Sequence, residues 1–272
     1  MLTQGEQTMT QTNKRNTVKV DKTPEAQNVI IINDLVKNFG DVIAVNSLNL
    51  EIRKGEMFGF LGPNGAGKTT TISMLSGLME PTSGSAKIAG FDVGKEPQKV
   101  KELIGVCPQE VAVFQFLSGM ENILLFGTLH GMNKQDLKER AAELVDLADF
   151  SDAARRKTKG YSGGMLRQLN LMIALISDPE IVLLDEPTVG MDARARRRTW
   201  EYIGSLKDQG KTVILTTHYI EEAQALSDRV GIIDYGKLID LGTPEELMSK
   251  HESEDLEAVF LKITGRRIAE GS

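Results

Sequence analysis

The segment "GPNGAGKTT", Gly62 to Thr70, constrains the fold more than any other stretch of the chain. It follows the short apolar run "EMFGFLG" and leads into "TTTISMLSGLM", so it reads as strand, glycine loop and helix. The spacing G-x-x-x-x-G-K-[ST] lets the loop residues Gly62, Asn64, Gly65, Ala66 and Gly67 wrap backbone N–H groups around a phosphate. The helix that follows adds the positive end of its dipole. Lys68 is placed to reach β- and γ-phosphates, and the Thr69 hydroxyl to hold Mg²⁺. Thr70 completes the motif. A flexible glycine loop explains the glycines but not the lysine and the flanking strand and helix, so the expectation is nucleotide binding.

A nucleotide loop of this kind belongs to a parallel sheet, and the chain supplies the strands. "IVLLDE" and "TVILTTH" are short apolar runs of the type buried on both faces. The first ends in Asp185 and Glu186, the second in His218. Ligands in open α/β sheets sit at the carboxyl ends of strands, where one carboxylate can hold a metal through its shell and a second can polarise an attacking water. A strand ending in a polar residue is commonplace, and the phosphate loop is what turns "LLDE" into an expected partner. His218 and Gln109, in "VCPQE", read alone as ordinary strand-end and loop residues. Cys107 reads as a small buried side chain. "LNLEIRKGE" alternates Leu48, Leu50 and Ile52 inward, and "RVGIIDYGKLIDLG" reads as a hairpin turning at Tyr235-Gly236.

Between these strands, residues from about 118 to 178 read mostly as helix. In "KQDLKERAAELVDLADF", Leu137, Ala141, Leu144, Leu147 and Ala148 recur at helical spacing and are expected to face inward. "YSGGM" heads another apolar helix with two adjacent glycines, Gly163 and Gly164, after Ser162. Glycine is a poor helix former, so the pair either makes a turn or lets something approach the backbone. The coarse picture is an α/β core interrupted by a helical insert of about sixty residues. Residues 1–27 are polar and are expected to be a disordered tail.

Composition excludes several classes. The net charge of −6 gives no basic footprint for nucleic acid. No window holds the eighteen or so consecutive apolar residues of a membrane-spanning helix, and the N-terminus has no apolar signal-peptide core. One cysteine forms no internal disulfide and suits a reducing compartment.

Read in order, "GPNGAGKTT", "CPQE", "YSGGM", "LLDEPTVGMD" and "TTH" resemble the ATP-binding cassette family, the ATPase subunits of ABC transporters, over about residues 28–247. "YSGGM" with "RQLNLMIAL", and "DLEAVFLKITGR" near the C-terminus, resemble the exporter branch that includes drug- and polysaccharide-export ATPases. The resemblance implies a P-loop fold with a RecA-like core, an antiparallel β subdomain and a helical subdomain at about 110–178, with 248–272 as a C-terminal extension. It implies ATP and Mg²⁺ as ligands, Phe39 stacked on adenine, and Asp185, Thr69 and Gln109 around the metal. Glu186 becomes the general base, His218 the switch histidine, and Gln109 the sensor of metal and water beside Lys68. Two cassettes, identical or related, would pair head to tail. Ser162, Gly163 and Gly164 of one then close on the γ-phosphate held by the other, and Asp192 crosses the interface. A polytopic membrane subunit would be the partner, on the cytoplasmic side of the membrane, with no nucleic acid expected.

Three departures from the family pattern stand out: Met165, Leu166, and "DARARRR" in place of a proline-containing run. None falls on a phosphate- or metal-facing position. Arg194, Arg196, Arg197 and Arg198 read as a solvated helix face. A soluble cassette acting in translation or DNA repair would carry two fused cassettes or a long coiled coil, and this chain shows neither. A small-molecule kinase would share only the phosphate loop, leaving "YSGGM" and Glu186 unexplained.

Overall fold

A computed structural model describes residues 28–266. The polar stretch 1–27 and the last six residues, 267–272, lie outside the described residues, and with them the expectation of a disordered tail. The chain opens with β1 (Asn28–Phe39) and β2 (Val42–Arg53), a long antiparallel hairpin. Leu48, Leu50 and Ile52 are buried as their alternation requires. Then come β3 (Met57–Leu61), the glycine loop and α1 (Lys68–Leu75). β4 (Ser83–Ile88) and β5 (Phe91–Asp92) join the first hairpin in a four-stranded sheet of order β2-β1-β4-β5, antiparallel throughout.

After α2 (Pro97–Leu103) and β6 (Ile104–Cys107) the chain leaves the sheet for the helical insert. This comprises α3 (Gly119–Leu129), α4 (Lys134–Leu147), α5 (Ser151–Ala154) and α6 (Gly163–Leu175). Ser118 opens α3 with a reciprocal capping box to Glu121, and Asn133 caps α4. The buried stripe on α4 is Leu137, Ala141, Leu144 and Val145. Leu147 does not join it: it is 56% exposed, on the rim of an open cleft with Leu171, Met172 and Tyr202, and Ala148 is half-buried. The stripe is spent against α3 and α6 before the last turn, so the periodicity continues past the neighbour that gives it meaning.

The chain returns through β7 (Ile181–Asp185), α7 (Ala193–Asp208), β8 (Thr212–Thr217), α8 (Ile220–Leu226), β9 (Arg229–Asp234) and β10 (Lys237–Gly242). The second sheet has the order β10-β9-β3-β8-β7-β6, parallel except for β10. β3, β7 and β8 are buried at every residue, the signature of strands covered on both faces. The β9–β10 hairpin turns at Tyr235 and Gly236, both with positive φ, as a two-residue hairpin turn requires. α9 (Pro244–Lys250) and α10 (Leu256–Thr264) close the described chain. Leu256, Val259 and Phe260 pack with Leu61, Val230 and Ile232, so α10 sits on the same core as the glycine loop's strand. Burying Phe260 alone is worth about 1.5–3 kcal/mol.

Candidate functional site

The site forms where β3, β7 and β8 end side by side, because parallel pairing puts their carboxyl ends on one edge. From β3 the chain enters the glycine loop. Gly65 and Gly67 take φ of +81° and +102°, conformations that side chains resist. At Gly67 a Cβ would also lie 2.3 Å from the carbonyl oxygen of Ala44, and at Gly62 it would lie 2.3 Å from that of Ile233. Both sheets therefore press on the loop: the β2 strand at Gly67 and the β9 strand at Gly62. Gly236 tightens the junction, donating to Ala66 O (3.0 Å) and accepting from Asn46 N (2.8 Å). Gly67 precedes α1 with no side-chain cap, leaving the first N–H groups of that helix open to an anion. Ala66 is buried, and Asn64, Gly65 and Thr69 are exposed at the loop surface with Thr70 half-buried.

Lys68 folds back over this loop. Its Nζ donates to Gly62 O (2.6 Å) and Pro63 O (3.0 Å) and lies 3.3 Å from Glu186 Oε1. Burial draws the ammonium below the ordinary lysine value, against the pull of Glu186 and Asp185. Glu186 is the hub. Its Oε1 is 3.1 Å from His218 Nδ1, and its Oε2 accepts from Gln109 Nε2 at 3.2 Å. Burial acts to raise the Glu186 carboxyl, but the His218 hydrogen bond and Lys68 hold it below the usual range, so it stays ionised. The residue adopts φ +49°, a left-handed conformation rare outside glycine and of the kind concentrated at functional sites. Its N–H is bonded to Thr216 O and Oγ1, both at 3.1 Å, which fixes it there.

Asp185 is treated oppositely by the same surroundings. Burial raises its carboxyl, partly offset by hydrogen bonds from Thr216 and Thr69. Thr69 Oγ1 in turn donates to Gln109 Oε1 at 3.3 Å. Thr69, Gln109 and Asp185 thus present oxygen donors to one place, as a hard divalent cation requires. His218 is buried, and its Nε2 has no hydrogen-bond partner among the described residues. A buried ring nitrogen without a partner is a costly omission unless a ligand supplies one.

The structure therefore joins Lys68, Thr69, Gln109, Asp185, Glu186 and His218 by direct contact. It sets Ser162, Gly163 and Gly164 apart from them. No hydrogen bond among the described residues links this trio to Lys68 or Glu186. Ser162 caps α6 by accepting from Met165 N (3.3 Å), and neither glycine has positive φ, so no turn demands them. A Cβ at Gly163 would meet open space, and one at Gly164 only Met191, at 3.6 Å. Phe39 closes the β1–β2 hairpin at 48% exposure, with Lys37 Nζ 5.3 Å from its ring centre. Asp192 caps α7 by accepting from Ala195 N (2.9 Å).

One expectation needs correcting. Arg194, Arg197 and Arg198 are exposed, Arg198 pairing at the surface with Asp149 at 2.9 Å, but Arg196 turns inward, its guanidinium 4.4 Å from the Tyr219 ring centre. A run of arginines on a helix spans all faces, so the run was no guide to which side chains meet solvent. Sequence reasoning also missed Thr216, which holds Asp185, and Asn170, whose Nδ2 donates to Pro108 O (3.0 Å) beside Gln109. Arg167 donates to the same carbonyl at 3.2 Å. The only cue was that Arg167 and Asn170 are, with Gln168, the polar side chains of an otherwise apolar helix.

The family described as ABC transporter matches residues 45–189, which span the glycine loop, the helical insert and Asp185-Glu186. The chain belongs to the ABC transporter family. Its 42% identity to the linearmycin resistance ATP-binding protein LnrL of Bacillus subtilis (strain 168) extends over 217 residues, 80% of this chain and 70% of the relative. It is 38% identical over 232 residues to the Nod factor export ATP-binding protein I of Cupriavidus metallidurans, covering 85% and 77%. Among solved structures, a dimeric ATP-binding cassette in a post-hydrolysis state, bound to ADP and Pi, superposes with a TM-score of 0.73 at 25% identity, over 79% of this chain and 98% of that one. This ABC protein is an ATP-hydrolysing, ATP-binding subunit of the exporter type. ABC subunits of this kind dimerise and work with a membrane permease. No helix among the described residues is long and apolar enough to cross a membrane.

Proposed function

We propose that two cassettes, this chain with its copy or with a related ATPase, sandwich ATP head to tail and drive a separate polytopic permease at the cytoplasmic face of the membrane. The observation that carries the reading is the convergence of Lys68, Gln109 and His218 on Glu186, beside the glycine loop. Loop N–H groups and the α1 N-terminus receive the phosphates, and Lys68 exchanges its loop carbonyls for phosphate oxygens. Phe39 offers a ring to the adenine. Thr69, Gln109 and Asp185 would hold Mg²⁺, which neutralises phosphate charge during hydrolysis. Glu186, ionised and fixed by Thr216, orients and deprotonates the attacking water, while His218, held through Nδ1 by Glu186, turns Nε2, unpartnered among the described residues, to the γ-phosphate side of the site. Ser162, whose hydroxyl caps α6, and Gly163 and Gly164, which no local turn demands, fit the γ-phosphate held by the partner. The remaining N–H groups at the head of α6 favour an anion, and the glycines admit a close approach.

Hydrolysis reopens the pair and the permease follows the motion. The names of the relatives, one a drug-resistance protein and one an export protein, support outward transport. Purification of the chain from gently solubilised native membranes, with mass spectrometry of its partners, tests the reading. A stoichiometric polytopic membrane protein is expected. Recovery only in the soluble fraction with ribosomal or DNA-repair proteins would overturn it.

A further inference from the structure

Glu222, on α8, is a buried acid with no part in the chemistry above. It is 1% exposed, and its Oε1 accepts two hydrogen bonds, from Thr188 Oγ1 at 2.6 Å and from Trp200 Nε1 at 2.8 Å. Its Oε2 has no hydrogen-bond partner among the described residues. The three segments that meet here are the ones hydrolysis depends on. Thr188 lies two residues after Glu186, Glu222 lies four after His218, and Trp200 lies on α7, the helix that Asp192 caps.

A second set of contacts runs alongside. Arg196 Nη2 donates to Met191 O at 3.4 Å, and its guanidinium stacks on Tyr219, next to His218. Arg196 Nε is also buried, with no hydrogen-bond partner among the described residues. Met191 is the residue that a Cβ at Gly164 would touch, so the same loop contacts the head of α6.

A merely structural account of Glu222 is weak. Burial pushes its carboxyl up, against the hydrogen bonds and nearby Arg196, so the acid is held in an unfavourable setting. Valine at 188 and phenylalanine at 200 would need no acceptor at all, and an apolar residue at 222 would then pack without charge. What the acid adds is direction: one oxygen fixes two donors from separate elements.

We propose that Glu222 is a positioning residue for ATP hydrolysis, its Oε1 tying the Glu186–Thr188 segment and α7 to the His218 segment so that the interface-crossing loop and the hydrolytic residues move as one unit. The proposal rests on the roles given to Glu186 and His218 above. Thr188→Val removes one donor at nearly constant volume, Trp200→Phe removes the other together with part of the ring, Glu222→Ala removes the tie, and Glu222→Gln keeps an amide oxygen that accepts both bonds.

The experiment measures kcat, KM, fluorescent-nucleotide affinity and melting temperature for these four and the wild type. Thr188→Val and Trp200→Phe should each lower kcat by about tenfold, the cost of one hydrogen bond to a buried acid, with KM and nucleotide affinity within about twofold of wild type. Glu222→Gln should recover most of what Glu222→Ala loses. Trp200 is the single tryptophan of the chain, so its emission should shift in Glu222→Ala and revert in Glu222→Gln. An active wild type whose Thr188→Val and Trp200→Phe variants keep full kcat, with only a lowered melting temperature, would overturn the tie alone. A wild type that binds nucleotide but hydrolyses none would overturn the tie together with the roles on which it rests.

Discussion

Replacing Gly164 by Asp separates stability from activity. The site tolerates a side chain, since φ is ordinary and the added Cβ would sit in van der Waals contact with Met191. Replacing a helical glycine by Asp gains about 0.2 kcal/mol in helix propensity, since Asp ranks only just above Gly. An acid in the first turn gains about 0.3–1 kcal/mol from the helix dipole. With some loss against Met191, the net is about 0.5 kcal/mol, which raises Tm by about 1–2 °C in a chain of this size. In the proposed head-to-tail pair the same carboxylate would face the partner's γ-phosphate. One charge pair about 4 Å apart at an effective dielectric of 20 repels by about 4 kcal/mol, so turnover should fall by about two to three orders of magnitude once screening is allowed for.

Mixing identifies whose phosphate is concerned. In a head-to-tail pair of Gly164→Asp with Lys68→Ala, both lesions fall in one composite site and the other site is intact. An equimolar mixture of the two inactive variants should therefore regain about one quarter of wild-type ATPase, from half the dimers and one of two sites. A mixture that stays inactive, or a Gly164→Asp protein with normal turnover, would refute the trans assignment. A lowered Tm would show that the glycine serves the fold instead.

Gly62→Ala should lower ATP affinity and destabilise by about 1–3 kcal/mol, because its Cβ meets the Ile233 carbonyl; isothermal titration and a thermal melt check both. Cys107 is buried, and burial pushes its thiol up to about 12, so Ellman's reagent at pH 8 should find no reactive thiol in the native protein and one equivalent in guanidinium. On β10, burial acts to raise Asp240, but hydrogen bonds from Lys250 and His251 hold it below the usual carboxylate range. Its contribution is therefore complete above the unfolded value of about 3.9 and is lost as pH falls through the folded one. Asp240→Asn should cost about 1 kcal/mol at pH 7, discounted for the exposure of Lys250, and the gap to wild type should close in acid melts.

What could be read from the sequence was what is local in sequence. The glycine loop carries its whole geometry within nine residues, and buried parallel strands announce themselves as short apolar runs ending in Asp185-Glu186 and His218. Pairings made across the fold left no such trace. Thr216 holds Asp185 from 31 residues away, and Glu222 reaches Thr188 from 34. The left-handed backbone of Glu186 is held by a hydrogen bond to Thr216, 30 residues away. Leu147 and Arg196 show the converse error: a helix period states which residues share a face, and only the packing decides which face is buried. Residues 256–260 looked like an appendage, yet they seal the underside of Leu61.

The most direct test of the account is the association state of the Glu186→Gln protein. Its amide keeps the hydrogen-bonding frame of Gln109 and His218 but cannot take a proton from water. With ATP and Mg²⁺, size-exclusion chromatography with light scattering should show the mass doubling into a persistent dimer with turnover abolished, and the wild type should reach that state only transiently. A Glu186→Gln protein that binds ATP yet remains monomeric, or that hydrolyses it at close to the wild-type rate, would contradict the account.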